Sequence, residues 1–166
     1  VEDGAIVGET REGAPIAYNH FLTWADGEVD DFELKVEFKI DRGNSGIQVR
    51  SFRREQPHSI GGYQADIDDA GNWSGTCYGE AFRGILAKRG EKTTIGREGE
   101  PEITGSTGDP EELGTHVKAG EWNEYHILAR GDRIVLSING RLMSEVTDAD
   151  TDTRRRTGLL AFQLHK

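Results

Sequence analysis

The chain has 166 residues, with 30 acidic against 20 basic side chains for a formal charge of -10, and 22 glycines. A field of that sign repels phosphate backbones and anionic lipid, which excludes nucleic acid and membrane surfaces as partners, and no stretch approaches the ~20 apolar residues of a membrane insertion. A single cysteine, Cys77, can make no internal disulfide, and an apolar share of only 34% beside so many glycines predicts an all-β chain of short strands and turns, one domain over residues 1–166.

Residues 4–8 and 21–24 are short apolar runs bounded by turn residues and read as the first strands. After the Asp26-Gly27 turn comes the cleanest signal in the chain: Phe32, Leu34, Val36, Phe38 and Ile40 alternate with polar residues and predict a half-buried strand. Lys35, Glu37 and Lys39 on its other side, long and of mixed sign, read as a solvated face. Turn residues 41–46 lead to a strand at 47–52 with Gln48 and Arg50 on the polar side. The next two strands carry an unusual face. Residues 61–68 put Gln64, Asp66 and Asp68 on one side, and residues 75–80 put Thr76, Tyr78 and Glu80 on one side.

Beyond a short strand at 84–87, residues 88–115 read as a long loop insertion with one helical turn at 109–113. Strands return at 120–129 and 133–138, and Asn139-Gly140 signals a tight hairpin into residues 142–146. Trp122 and Tyr125 read as core residues and His126 as solvated. An acidic then basic loop, 148–156, precedes the last strand, where Gln163 and His165 share a face. The set Gln48, Arg50, Gln64, Asp66, Asp68, Tyr78, Glu80, Gln163 and His165 is poor material for an ordinary exposed strand surface, since Asp in mid-strand is disfavoured unless something compensates, and it reads as a ligand-binding wall. Trp73, in the loop between two of these strands, suits either stacking on a sugar ring or packing beneath the turn.

Metal and nucleophile motifs are scarce. Residues 148–152 imitate the opening of a calcium loop, but Thr153 stands where Gly is required and Leu159 where Glu is required. No His/Cys set for zinc, phosphate-cradling glycine loop or serine elbow is present. No cofactor is expected. The one alternative is a hard cation such as calcium held by Asp66, Asp68, Asp69 and His165.

The ordered set Asn44-Ser45-Gly46-Ile47 with Arg50, Gly61 with Tyr63-Gln64-Ala65-Asp66-Ile67, Tyr78-Gly79-Glu80 with Arg83, Gly120-Glu121-Trp122-Asn123, Ile138-Asn139-Gly140 and Phe162-Gln163-Leu164-His165 resembles the 3-keto-disaccharide hydrolase domain family. The resemblance implies a concanavalin-like jelly roll of two antiparallel sheets with saccharide, or 3-keto-saccharide, on the concave face. It further implies cleavage of 3-keto-glycosides by acid/base elimination and hydration. Asp66, Glu80 and His165 would be the acid/base candidates and Arg50 the enolate stabiliser, with Gln48, Gln64, Tyr78, Arg83, Gln163 and Trp73 contacting substrate. Many members carry Glu where this chain has Gln64 and Gln where it has Asp66, so here the charge sits two residues later. Members usually continue past the His with a further strand, which would complete a sheet edge. A start at Val1 rather than Met, together with the resemblance, leads to an expected periplasmic or extracellular location. The expectation from another class is a non-catalytic, lectin-like saccharide-binding module of a larger exported protein; a third is an adhesive domain that binds nothing small.

Overall fold

The computed structural model describes residues 1–55 and 59–166. In chain order the elements are β1 (His20–Thr23), β2 (Phe32–Phe38), β3 (Asn44–Arg53), β4 (Ile60–Asp68), β5 (Cys77–Glu80), β6 (Gly84–Ala87), β7 (Glu91–Ile95), β8 (Pro101–Ser106), α1 (Pro110–Gly114), β9 (Asn123–Arg130), β10 (Arg133–Ile138), β11 (Arg141–Asp148) and β12 (Leu159–Leu164). They form two six-stranded sheets, β1-β12-β3-β4-β5-β6 and β2-β9-β10-β11-β7-β8. Every pairing is antiparallel except that of β11 with β7. This is the all-β, two-sheet sandwich that the alternation of apolar residues predicts.

The core is made by one face of each sheet. Ile47, Val49, Tyr63, Ala65, Ile67 and Cys77 come from the first sheet, and Tyr125, Ile127, Ala129, Ile134, Leu136, Met143 and Val146 from the second. Burying each large aliphatic or aromatic side chain stabilises the fold by roughly 1.5–3 kcal/mol. In β2, Phe32, Leu34, Val36 and Phe38 turn toward this core while Glu33, Lys35 and Glu37 are exposed, as their alternation predicts. The hairpin at Asn139-Gly140 also forms: both residues have positive φ, 51° and 75°, and link β10 directly to β11.

Three expectations fail. Residues 4–8 form no strand, only a turn closed by a Glu2–Ala5 bridge. The span 88–115 is no long loop: β7 and β8 form a hairpin in it, with polar, Thr-rich strands whose pattern is blurred because they lie at a sheet margin. The helical turn expected within that span does form, as α1, capped by Asp109, whose Oδ1 accepts the N–H groups of Glu111 and Glu112 at 2.9 Å. Trp122 is 53% exposed because it precedes β9, whereas Tyr125, inside the strand, is fully buried. On the first sheet, the side of β12 away from β3 is occupied by β1, so β12 is not an edge.

Candidate functional site

The face of the first sheet that turns away from the core carries the polar side chains. Register fixes the arrangement: Gln48 lies across from Gln64 and Ala161, Gln64 across from Tyr78, Asp66 across from Gly46, and Gly62 across from Glu80. Gln64 lies over β3 because Gly46 leaves the space, for a Cβ there would sit 2.6 Å from the glutamine side chain.

These groups are joined in one direction. Ser51 Oγ donates to Gln48 Oε1 at 2.6 Å, Gln48 Nε2 to Gln64 Oε1 at 2.5 Å, and Gln64 Nε2 to Asp66 Oδ1 at 2.7 Å. Gln163 Nε2 also donates to Gln64 Oε1, at 3.2 Å. Each amide orientation is therefore dictated by its neighbour, and the chain terminates in an acceptor, the Asp66 carboxylate. Gln48 is completely buried, Asp66 is 7% exposed and Gln163 6%. Gln163 Oε1 is buried and has no hydrogen-bond partner among the described residues. Such an orphan acceptor costs about 1–3 kcal/mol and is a place where a donor from a ligand would be favoured.

Burial is the main cause that pushes the Asp66 carboxyl up to about 7, aided by the like charges of Glu80 and Asp68 and opposed by the Gln64 hydrogen bond. Burial likewise raises Glu80, against the lowering effects of His165, Arg54 and the Gln163 hydrogen bond. The Tyr78 phenol is raised by burial and then by Glu80 and Asp66. Glu80 shares a hydrogen bond with Gln163, and the charge of His165 also acts on it. β5 and β12 have β3 and β4 between them, so on a flat sheet their side chains would start about 14 Å apart, three strand spacings. The long Glu80 and Gln163 side chains bridge that distance through their hydrogen bond, over the polar face that forms the candidate hollow. His165 Nδ1 lies 2.9 Å from Lys166 O.

The structure thus brings together Gln48, Gln64, Asp66, Tyr78, Glu80, Gln163 and His165. It sends three other candidates elsewhere. A bulge shifts the register between Val49 and Phe52, and Arg50 takes φ +47°, which removes it from the alternation. Its guanidinium, 1% exposed, binds Asp30 O at 2.9 Å, Gly131 O at 2.7 Å and Asp31 Oδ1 at 3.0 Å, tying β3 to loops at the sandwich margin. Ser51, next in the chain, joins the hollow through Gln48 instead. Arg83, in the β5–β6 turn, clasps Asp148 Oδ2 at 2.6 Å and Asp150 Oδ2 at 2.9 Å, and Tyr63 Oη donates to the same Asp148 oxygen at 2.5 Å. This latch joins the first sheet to β11 of the second. Trp73 lies in the loop between β4 and β5, outside that set, 44% exposed.

Asp68 shapes the loop that follows it, for its carboxylate accepts the N–H groups of Asn72, Trp73 and Ser74 at 2.8, 2.9 and 2.8 Å. The alternative cation set of Asp66, Asp68, Asp69 and His165 is therefore not assembled. Among the described residues no group of three or more His, Cys, Asp or Glu side chains is gathered as metal ligands would be. One residue escaped sequence reasoning: Arg54, just past β3, is the arginine whose charge acts on Glu80. Only knowledge of the bulge would have distinguished it from Arg50.

Solved structures with the same fold include the carbohydrate-binding module CBM66 from Bacillus subtilis, with TM-score 0.55 and 15% identity over 91% of this chain and 76% of that one. A "putative glycosyl hydrolase" from Parabacteroides distasonis matches with TM-score 0.56 and 19% identity over 90% of this chain and 77% of that one. A second protein so described from that organism gives TM-score 0.53 and 18% identity over 92% and 71%. At these identities the likeness is one of fold, and no curated protein matches the sequence. The family profile of the 3-keto-alpha-glucoside-1,2-lyase-like domain matches residues 1–166, and the chain belongs to that family.

Proposed function

We propose that this domain cleaves 3-keto-glycosides by elimination in the hollow on the first sheet. The observation that carries the reading is the Asp66 carboxyl: nearly buried, fixed by Gln64 on Oδ1 and titrating at about 7, it is poised to exchange a proton at neutral pH. In a 3-keto sugar the hydrogen on C2 is acidified by the ketone. Asp66 takes that proton, the C1–O bond breaks with its electron pair going to the departing oxygen, and a C1=C2 double bond remains. The departing oxygen takes a proton from the Glu80–His165 pair, and water then adds across the double bond to complete a hydrolysis. The ketone oxygen gains negative charge as the proton leaves. Arg54, exposed just past β3 with its guanidinium on Ser59 Oγ at 3.2 Å, carries the permanent charge that acts on Glu80 and takes the stabilising role that the resemblance assigns to Arg50. Gln163 Oε1, Gln64 and the Tyr78 hydroxyl hold sugar hydroxyls.

The family to which the chain belongs supports the 3-keto-glucoside substrate class, and the CBM66 fold supports a saccharide ligand. The test is incubation with a 3-keto-disaccharide and its unoxidised parent for the protein and for Asp66→Asn, Glu80→Gln and His165→Ala. Release of monosaccharide from the keto sugar alone, lost or strongly reduced in the variants, is expected. Sugar binding without any product would favour the saccharide-binding module instead, and cleavage unchanged in all three variants would end the assignment.

A further inference from the structure

The edge strand β1 adds a side chain to the polar face that the proposed reaction leaves unused. Phe21 lies across from Gln163, and Thr23 across from Ala161. Ala161 lies across from Gln48 in turn, and Gln163 Nε2 reaches Gln64, so both β12 residues belong to the face of the amide chain. Directly opposed residues of an antiparallel pair share a face, with Cβ atoms about 5 Å apart. Phe21 therefore stands on the face of Gln64 and Asp66, beside Gln163 with its orphan Oε1. The core does not account for it: Leu22, the next residue, is across from Phe162, which packs against the core from the other side of the sheet. A half-buried phenylalanine at a sheet edge, on a face otherwise built of amides and carboxyls, gives the hollow an apolar wall.

Strand register sets the order of these groups. The pairs Ala161–Gln48 and Phe162–Ile47, continued by one residue, place Gln163 across from Gly46, and Gly46 is across from Asp66, so one row runs Phe21, Gln163, Gly46, Asp66. Its ends are three strand spacings apart, about 14 Å, a length that two linked six-membered rings can occupy. The row has a chemical direction. Asp66 takes the C2 proton at one end, while Glu80, which with His165 gives the departing oxygen its proton, is hydrogen-bonded to Gln163. The departing group therefore leaves from Asp66 toward β12, and the strand beyond β12 is β1 with Phe21. A ring that carries hydroxyls supplies what both residues lack, a donor for Gln163 Oε1 and an apolar face for Phe21.

We propose that Phe21 determines specificity for the leaving group, its ring packing on the apolar face of a ring attached through the scissile oxygen, so that ring-bearing leaving groups are preferred over small alkyl ones. The inference rests on the reaction proposed above for its direction, and a binding arm separates the two. In the kinetic arm, kcat/KM is measured for 3-keto-glucosides that differ only in the leaving group: methyl, benzyl and glucosyl. Methanol and benzyl alcohol are of similar acidity, so their departure makes similar chemical demands. Phe21→Ala is expected to lower kcat/KM for the ring-bearing substrates by roughly tenfold and to leave the methyl glycoside within about twofold, while Phe21→Tyr keeps the preference. The benzyl and glucosyl values show whether an aromatic ring or a sugar is the better occupant. In the binding arm, the unoxidised methyl and benzyl glucosides are titrated by calorimetry against wild type and Phe21→Ala, with circular dichroism as the check on folding. The wild type is expected to bind the benzyl glucoside about tenfold more tightly, and that difference should vanish in Phe21→Ala. A loss in Phe21→Ala that is equal for methyl and ring-bearing leaving groups, or a binding preference that does not depend on Phe21, overturns the assignment. If no keto sugar is cleaved but the binding difference depends on Phe21, the reaction is wrong and the apolar wall stands.

Discussion

Two of the polar networks buried among the described residues lie on opposite sides of the first sheet, and they differ in how completely they are satisfied. Between the sheets, Arg83 holds Asp148 and Asp150, Tyr63 adds a third bond, and Thr153 and the Asp152 N–H, the larger influences, hold the Asp150 carboxyl below the usual carboxylate range together with Arg83. On the outer face, the amide chain from Ser51 to Asp66 ends, among the described residues, without a cation in contact and with Gln163 Oε1 unpartnered, and the carboxyl is pushed up to about 7. The first network has every charge answered and nothing left to bind, which is the form of a structural clasp. The second retains an acid that can change its charge and an oxygen that lacks a donor, which is the form of a site. Burial of polar groups alone does not separate the two; the state of the carboxylates does.

The most severe way to test that contrast is at Asp66. Asp66→Asn keeps an acceptor for Gln64 Nε2 and removes the titrating proton, so kcat for 3-keto-glycoside cleavage should fall by about 10²–10⁴-fold with the fold retained. Circular dichroism and a kinetic assay on the same sample read both halves. A variant that keeps wild-type kcat would assign Asp66 to the structural class instead.

Arg83→Met should give the opposite profile. Breaking the buried pair with Asp148 costs about 3–5 kcal/mol, and thermal melting should drop on the order of 10 °C for a domain of this size. Activity per folded molecule should stay within about twofold at a temperature where the variant is folded, an order-of-magnitude bound that follows if its charge acts on the clasp and not on the hollow. A melting temperature equal to wild type would mean that the latch contributes little.

How much of this division was legible in the residues follows from local backbone geometry. The core face of β2 and the hairpin at Asn139-Gly140 were readable because strict alternation and a left-handed Asn-Gly pair leave the chain few choices. Gln64, Asp66, Tyr78 and Glu80 could be placed on one face for the same reason, as could Gln163 and His165. Arg50 was misplaced because one bulge reverses every assignment after it, and nothing in Val49-Arg50-Ser51-Phe52 signals a bulge. Arg83 and Asp68 look equally suited to substrate in sequence. Their occupation by Asp148 and by the 72–74 backbone comes from chain segments brought in by tertiary structure or by a loop turning back.

Asp66 also makes a prediction about stability. Its carboxyl titrates near 3.8 when unfolded and about 7 when folded, so its favourable contribution is complete below about pH 4, where both states are protonated. As pH rises the unfolded chain loses the proton first, and the contribution disappears as the pH passes through about 7. The loss amounts to at most about 4 kcal/mol. Carboxylates held low, such as Glu145 beside Arg133, act with the opposite sign and lose stability as pH falls. Subtracting the urea stability of Asp66→Asn from that of wild type at each pH removes them. The difference should decline between pH 4 and 7 and then level; a flat difference would mean that the carboxyl titrates normally.

The smallest effect is expected at the orphan oxygen. Gln163→Leu removes an acceptor that has no partner among the described residues and, with it, the Nε2 donor to Gln64 and Glu80; Gln64 Oε1 keeps its bond from Gln48, so the loss of folding stability should be about 1–2 kcal/mol. If Gln163 Oε1 waits for a sugar hydroxyl, the same variant should raise KM by roughly 5–10-fold, the value of one neutral hydrogen bond, with a smaller change in kcat. Gln163→Glu provides the control, since it keeps an acceptor but places a second carboxylate beside Glu80 and should displace the acidic side of the pH profile. A KM unchanged in both variants would leave the oxygen as a defect of packing and would remove this unsatisfied group from the argument for a ligand.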